Sequence, residues 1–292
     1  MSEINMQETF QIVFNISMLF FVSGSMITLG LGLTMAQIFE PFKNITKVIL
    51  VLIANFVLVP LLAFSIVQWL PVPEGVKIGL ILLSLGGGAP FIPMVVAVAK
   101  GNIGSSVGIM VLLLVVTIFF MPIAVPIMLP GVSVSSWDIA KLLVSMMLIP
   151  LVLALFIKAR FSAFAERIVP FVAKLTSLAT LILVVSVLYL YTETIIASVS
   201  VLPVILLFFS GAAFIGYLTG GRDRHDRISF TVGTSLRNPP VAILVASQSF
   251  PSEPMAAIVP LLVAIVGLII LFPLAKISEK RHRSINPNES IQ

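Results

Sequence analysis

Long apolar segments follow one another along almost the whole chain, and this succession limits the fold more than any other feature. Nine of them approach the roughly 20 residues that a helix needs to cross a bilayer. Only helices and closed barrels satisfy every backbone group in lipid, and the alternating pattern of barrel strands is absent. The sequence therefore predicts an all-α integral membrane protein with nine transmembrane helices, at residues 11–36, 46–70, 76–99, 103–129, 136–159, 165–190, 199–219, 228–249 and 255–277.

The composition is typical of a protein embedded in a lipid bilayer. Hydrophobic residues make up 59% of the 292 residues and charged residues only 10%, whereas about a quarter of a soluble protein is charged. The net charge of +5 lies mostly in short connections, where it sets membrane orientation rather than binding nucleic acid. Cysteine is absent, which excludes disulfides and thiol ligands. We expect the bilayer as the surroundings, no nucleic-acid partner and no evident protein partner.

The basic residues also predict the orientation of the chain. With nine spans the termini lie on opposite sides, and a cytoplasmic C-terminus places thirteen basic residues inside and only Lys77 and Lys141 outside. The positive-inside rule therefore predicts an outside N-terminus and a cytoplasmic C-terminus. We expect a short outside tail at residues 1–10 and a basic cytoplasmic tail at 278–292, disordered from about Asn286.

Two of the predicted helices contain residues that interrupt a helix. The eighth carries G-T-S-L-R-N-P-P (233–240), and its adjacent prolines remove two helical donors and clash with the preceding turn. The third carries G-G-G-A-P-F-I-P (86–93), in which three glycines precede two prolines. Irregular backbone at membrane depth is tolerated only where protein buries it or where it lines a cavity. We therefore expect both helices to break and the two breaks to form a midplane site, as in many secondary transporters.

The two runs belong to a weak internal repeat. Each run starts with glycine and ends with proline, and the next apolar segment in each case ends in a Phe-containing run at Pro122 or Pro273. The copies are five spans apart, so they enter the membrane with opposite polarity. The sequence predicts a first repeat at residues 11–129 and an inverted second repeat at 136–277, an arrangement that favours a carrier over a channel.

Several short motifs occur in the order seen in a known family. They are Gly30-Leu31-Gly32-Leu33-Thr34-Met35, Asn55 within I-A-N-F-V-L-V-P, Gly87-Gly88 followed by Ala99-Lys100-Gly101-Asn102, and Gly216-Tyr217-Leu218. Together, from about residue 12 to 277, they resemble the bile acid:sodium symporter family. The resemblance implies a core domain of spans 2–4 and 7–9, a panel domain of spans 1, 5 and 6, and a location in a bacterial inner membrane. It also implies that the first of the ten helices of the bacterial pattern is missing.

The chain departs from this family at the residues that bind sodium. The resemblance implies a serine–asparagine pair in the first broken helix, where this chain has Pro90 and Phe91. It implies a glutamate in the second broken helix, where this chain has Thr231. The glutamine–asparagine step that follows is most similar to Arg237-Asn238. Sodium coupling therefore stays open, although the family resemblance does not depend on it.

Arg237 is the one charged side chain that we expect near the centre of the membrane. An arginine there costs at least about 2.5 kcal/mol on insertion scales, which favours a functional role. The guanidinium could neutralise carbonyls of the broken helices, or it could stand where relatives bind sodium. It could also hold a carboxylate or sulfonate of the solute in a bidentate geometry. The last two interpretations predict an anionic solute.

The candidate site for solute or ion comprises the residues at the two breaks and the polar residues near them: Asn55, Gly88, Ala89, Pro90, Phe91, Ser106, Thr231, Thr234, Ser235, Arg237, Asn238 and Pro239. Sodium could bind near Asn55, Ser106 and Thr231, and no other cofactor is expected. Each polar residue also has an ordinary interpretation. Hydroxyls cap helices or bond back to their own helix, and an asparagine can link two helices.

The positions of the ionisable residues limit the mechanism. All twelve acidic residues and both histidines lie outside the interiors of the predicted spans. A proton relay needs an intramembrane carboxylate or histidine, and an intramembrane enzyme needs a nucleophile with a base or paired aspartates. The sequence therefore predicts no enzyme. It predicts a secondary carrier that moves an organic anion by alternating access, either coupled to sodium or independent of it with Arg237 replacing the cation.

Overall fold

The computed structural model describes residues 2–34, 36–37, 44–130 and 135–285, and all the longer elements in these ranges are helices. They are α1 (Ser2–Gly32), α2 (Ile45–Trp69), α3 (Glu74–Leu85), α4 (Ile92–Val98), α5 (Ile103–Met128), α6 (Ser136–Arg160), α7 (Ser162–Ala197), α8 (Leu202–Thr219), α9 (Arg224–Ser235), α10 (Pro239–Ser249) and α11 (Pro254–Ile285). Seven of these described helices, namely α1, α2, α5, α6, α7, α8 and α11, are long and apolar enough to cross a membrane. The prediction of an all-helical membrane protein is confirmed.

The ends of the first and last helices extend beyond the predicted spans. Helix α1 begins at Ser2, so the segment 1–10 expected as a tail is, from Ser2 onward, the start of a helix. Helix α11 continues to Ile285, although its span was predicted to end at 277. Apolar length marks only the part of a helix that lies in lipid, and a nucleated helix extends into water at little cost. Residues 286–292, predicted to be disordered, lie outside the described part of the chain.

The third and eighth predicted helices are both interrupted where the sequence predicts. Helix α3 ends at Leu85 and α4 begins at Ile92, while α9 ends at Ser235 and α10 begins at Pro239. Pro239 and the proline after it occupy the first turn of α10, where a missing N–H loses no helical hydrogen bond. Most of the connecting backbone is buried in protein at both breaks. The interrupted backbone therefore meets the condition for irregular structure at membrane depth.

Two further helices contain a single π-helical turn shortly before a proline. In α2 the turn is Ala54–Leu58, ahead of Pro60, and in α6 it is Val144–Leu148, ahead of Pro150. A proline ring clashes with the carbonyl four residues earlier, and a π turn relieves this clash by widening the helix locally. The sequence predicts plain helices at both positions, although the prolines carry the signal. In α2 the widened turn contains Asn55, which is buried.

The helices pack in an order that brings the two breaks together. Helix α1 packs mainly against α6 and α7. Helix α3 packs against α10 and α11, and α5 packs against α9. The half-helices on either side of each break thus contact the half-helices of the other, inside a continuous apolar core.

Gly88 allows the first break to lie directly against α5. Its φ angle of +80° is in the left-handed region that glycine favours. A Cβ atom at this position would lie 2.4 Å from the backbone nitrogen of Leu114. The neighbouring Gly87 donates its N–H to Thr117 Oγ1 of α5 at 2.8 Å. The buried Thr117 hydroxyl therefore replaces the helical partner that this N–H lacks.

We expect Gly88→Ala to destabilise the protein because both the backbone conformation and the contact with α5 exclude a side chain. Left-handed strain alone costs about 1 to 3 kcal/mol, and the clash with Leu114 adds to it. Gly221→Ala is the matched control, because Gly221 has a φ of +77° but a Cβ atom there would have no neighbour within 4 Å. Thermal unfolding in detergent should rank wild type above Gly221→Ala and Gly221→Ala above Gly88→Ala. Equal melting temperatures of the two variants would contradict the close approach of Gly88 to α5.

Candidate functional site

The two breaks are joined by Asn238, the residue before α10. Its backbone N–H donates to the Gly86 carbonyl at 3.0 Å, and its Nδ2 donates to the carbonyls of Gly88 at 3.2 Å and Gly87 at 3.4 Å. The Oδ1 atom of the same side chain accepts the N–H of Val241 and caps α10. One buried asparagine therefore satisfies polar groups on both breaks.

Arg237 lies at the same crossing, and its side chain is directed into the protein. The residue is only 3% exposed. Its Nε donates to the Leu83 carbonyl at 3.4 Å, and its Nη2 donates to the carbonyls of Ser84 at 2.5 Å and Asn55 at 3.2 Å. Its Nη1 donates to Asn55 Oδ1. No carboxylate in the described part of the chain pairs with it within 4.0 Å.

The acceptors around Arg237 share one property: all four are neutral oxygens. Two of them, the carbonyls of Leu83 and Ser84, belong to the last turn of α3. The last carbonyls of a helix have no helical partner and carry the negative end of the helix dipole. The guanidinium therefore neutralises the broken helix, and its charge lies where a desolvated cation would be stabilised.

Asn55 links α2 to α9 and to the connection that follows α9. Besides accepting from Arg237, it donates through Nδ2 to the Val51 carbonyl at 2.9 Å and to Thr234 Oγ1 at 3.3 Å. The structure thus brings Asn55, Thr234, Arg237 and Asn238 of the predicted site into one buried cluster. Asn55 therefore forms a hydrogen bond between helices and also lies beside the crossing, so both interpretations of this residue apply.

Three other predicted site residues bond within their own helices. The hydroxyl of Ser106 donates to the Ile103 carbonyl at 2.7 Å, that of Thr231 to Arg227 at 2.8 Å and that of Ser235 to Thr231 at 2.8 Å. No hydrogen bond among the described residues joins Ser106 or Thr231 to Asn55. Their grouping around a sodium ion therefore stays a prediction.

The remaining predicted residues line two cavities beside the crossing. A small cavity of about 40 Å³ contacts Arg237 and is also lined by Ala89, Phe91, Ser235 and Pro239. A larger cavity of about 500 Å³ is lined by Pro90 and Phe91 and by residues of α1, α5 and α7. Phe91 lines both cavities, so the two cavities meet at its side chain.

The larger cavity has one apolar wall and one hydroxyl-bearing wall. Pro90, Phe91, Pro93, Val107 and Met110 form the first wall, and Ser25, Thr28, Thr176, Ser177 and Thr180 of α1 and α7 contribute to the second. No acidic or basic side chain in the described part of the chain lines it. The buried hydroxyl of Thr28 has no hydrogen-bond partner among the residues that the structure describes. Ligand cavities measure about 300 to 1,000 Å³ and combine apolar walls with a few polar groups, so this cavity is the candidate solute site.

The hydroxyl wall was missed in the sequence, although α7 carries a signal for it. Thr176, Ser177 and Thr180 are spaced so that they share one face of a helix. Alone, that spacing is equally compatible with hydroxyls bonded back to their own helix, and Thr176 and Thr180 also make such bonds.

A second polar network ties the beginning of α9 to the rest of the bundle. Lys47 of α2 forms an ion pair with the buried Asp226, whose Oδ1 also accepts from Asn102 Nδ2 at 3.3 Å. The Asp226 N–H donates to Asp223 at 2.8 Å, and this hydrogen bond lowers the pKa of the Asp223 carboxyl below its usual value. His225 Nδ1 lies 2.7 Å from the Lys100 carbonyl. These contacts attach α9 to the connection between α4 and α5.

Interrupted helices that cross inside an apolar bundle characterise secondary transporters. Comparison with known families finds a match to the Sodium Bile acid symporter family over residues 17–198, which is more than half of the chain. The protein therefore belongs to the sodium bile acid symporter family. The match includes the first break, whereas α9, α10 and Arg237 lie beyond it. A search of curated proteins finds no match.

The Asn55–Arg237 contact should contribute to stability because it satisfies a buried charge. We expect Asn55→Leu to leave a guanidinium donor unpaired and to lower the free energy of unfolding by about 1 to 3 kcal/mol. Thr234→Val is the matched control, because it removes only the neutral bond from Asn55 Nδ2. Thermal unfolding in detergent should show the larger loss for Asn55→Leu. A larger loss for Thr234→Val would rule out this ranking of the two contacts.

Proposed function

We propose that the protein is a secondary carrier that moves an organic anion across the inner membrane by alternating access, with Arg237 serving as a fixed cation at the crossing of the broken helices. The observation that carries this proposal is the binding of the buried guanidinium by four neutral oxygens. The proposal needs no bound sodium ion, and sodium-coupled transport is the outcome that would replace it.

The proposed topology has nine passes, with α3 and α4 forming one pass and α9 and α10 another. Each pair covers about the length of a membrane span, from Glu74 to Val98 and from Arg224 to Ser249. An odd number of passes agrees with the distribution of basic residues, which favours an outside N-terminus and a cytoplasmic C-terminus. The two broken passes then belong to repeats at 11–129 and 136–277. Helices α1, α6 and α7 form the panel, and the others form the core.

The oxygens that accept hydrogen bonds from Arg237 are the reason for proposing that this side chain replaces a bound cation. Backbone carbonyls and an amide oxygen are hard oxygen ligands, and unwound carbonyls and helix C-termini coordinate sodium in transporters with broken helices. Arg237 donates to the same kind of oxygen and carries the same single charge. Because the guanidinium is covalently attached, it cannot be released to either side during a transport cycle. Coupling to a sodium gradient through this position is therefore excluded by the proposal.

The same charge favours an anionic solute in the neighbouring cavity. No charged side chain of the described residues lines the 500 Å³ cavity itself, so the guanidinium beside the adjoining small cavity is the source of positive potential for it. The apolar wall would contact the hydrocarbon part of an amphipathic solute. The hydroxyls of α1 and α7 would bind its polar edge, and the unpaired Thr28 hydroxyl is one such group.

Alternating access is supported by the difference between the two ends of α1. Near its beginning, Phe14 and Met18 pack in a buried cluster with Ile243 of α10, and Ser247 contacts the sulfur of Met18 at 3.1 Å. Near its end, around Gly32, the helix instead lines the large cavity. A cavity of about 80 Å³ lined by Phe14, Ile243 and Ser247 lies beside this first contact, so the arrangement fits a carrier that is narrow at one end and wide at the other. The first contact would then be the gate that separates in the opposite state.

Uptake in proteoliposomes should be independent of sodium in the wild type and dependent on it in Arg237→Gln. A thermal-shift screen of organic anions first identifies a transported solute. We expect replacement of sodium by choline to leave wild-type uptake unchanged, because the guanidinium already fills the cation position. The variant should take up solute in sodium but not in choline. Lys174→Gln, at the exposed lysine within α7, is the control and should behave as wild type. Sodium-driven uptake by the wild type would overturn the proposal.

Filling the large cavity should block transport without unfolding the protein. Ser177 lines the cavity, whereas the next residue, Leu178, does not and is exposed on the surface of α7. We expect Ser177→Trp to abolish solute uptake and Leu178→Trp to retain it, with similar melting temperatures for both. Full uptake by a folded Ser177→Trp variant would show that the solute passes elsewhere.

A further inference from the structure

A further cavity lies away from the crossing, where α8, α9 and α11 meet α4. It measures about 410 Å³, and we call it the arginine groove. Three arginines lie along it, and its other walls are mainly apolar; the defining residues are Arg222, Arg224, Arg227, Tyr217, Leu271 and Leu274. The groove therefore combines concentrated positive charge with an apolar surface. The proposed transport cycle does not use the groove, although Thr231 of the predicted sodium group also lines it.

Arg227 is held in the groove by neutral groups. Its Nε and Nη2 donate to the Gly221 carbonyl at 2.9 and 2.6 Å, and its Nη1 donates to the Tyr217 hydroxyl at 3.2 Å. The guanidinium also lies over the Tyr217 ring, 4.9 Å from its centroid. These contacts fix the position of the charge without neutralising it. Two carboxylates lie near the groove: Asp226 is buried in its ion pair with Lys47, and Asp223 accepts the N–H of Asp226.

The groove opens onto the lipid-facing surface of the bundle. Tyr217 of α8 is 49% exposed and Leu274 of α11 is 53% exposed, so both walls reach the surface. Phe214 and Leu218 lie on the same face of α8 as Tyr217 and are 61% and 63% exposed. An apolar face that no neighbouring helix covers lies against lipid in a membrane protein, and tyrosine is enriched at the depth of the headgroups. The arginines thus lie where a lipid headgroup would be.

We propose that the arginine groove binds an anionic phospholipid of the cytoplasmic leaflet. The phosphodiester would bind to the guanidinium groups, which match phosphate oxygens in bidentate geometry. One acyl chain would lie along Leu271 and Leu274 and against the Tyr217 ring. Basic pockets between transmembrane helices on the cytoplasmic side recognise acidic headgroups in this way. A free phosphate would leave the apolar walls uncovered, so the lipid is the occupant that uses the whole groove.

Lipid binding to the purified full-length protein tests this proposal without any transport assay. Native mass spectrometry would compare phosphatidylglycerol with phosphatidylcholine on wild type and on Arg222→Gln/Arg224→Gln. Each basic residue near a membrane surface contributes about five-fold to binding of an acidic lipid, so the double variant should bind phosphatidylglycerol more than tenfold more weakly. Arg160→Gln/Arg167→Gln removes two exposed arginines away from the groove and should bind as wild type. Inorganic phosphate should not displace the lipid.

Four results would overturn the proposal. Equal binding of both lipids by the wild type would remove the headgroup preference, and an equal loss in both double variants would indicate a diffuse basic surface. Displacement by inorganic phosphate would indicate a site for a free anion. Leu274→Trp keeps every charge but fills the apolar wall, and it should weaken phosphatidylglycerol binding in a protein that melts as wild type does. Undiminished binding by this variant would equally contradict the assignment.

Discussion

The structure depends on how a charge is accommodated where two helices are broken. Each interruption leaves carbonyls without helical partners inside an apolar bundle, and such groups are costly to bury unpaired. Arg237 and Asn238, adjacent in sequence, satisfy carbonyls of the other broken helix from within the second break. Neither break has a full set of hydrogen bonds by itself. The second break thus supplies hydrogen bonds that the first break lacks, and the Arg237 guanidinium is the charged group among them.

This dependence connects the fold to the proposed mechanism. A diffusible ion at a broken-helix crossing can bind and leave, so its gradient can drive a carrier. In the proposed mechanism, a guanidinium gives comparable electrostatic support at all times, so it keeps the crossing assembled without an ion that enters and leaves during the cycle. In that mechanism the adjoining cavity, which is lined by no charged side chain of the described residues, takes its preference among solutes from this permanent charge. Membership of the family and the proposed independence from sodium are therefore compatible.

The sequence predicts best what local chemistry dictates. Adjacent prolines at Pro239 and a glycine run at Gly86 interrupt a helix whatever surrounds them, and both breaks are observed. The carbonyls of Leu83 and Ser84 that bind Arg237 could not be predicted, because a backbone acceptor has no signature in side-chain identity. The length of α1 was also missed, since apolar content records only the part of a helix in lipid. The hydroxyl wall of α7 depends on tertiary packing, which orients one face toward the cavity.

Sodium binding by the purified protein measures the central claim most directly, because it needs neither a known solute nor transport. Equilibrium dialysis with radioactive sodium would compare wild type with Arg237→Gln in detergent. The account predicts no saturable sodium binding at the crossing of the wild type and its appearance in the variant, where the oxygens of Asn55, Leu83 and Ser84 lose their cation. Wild-type protein that binds sodium saturably, and as tightly as the variant, would contradict the replacement of the ion by Arg237.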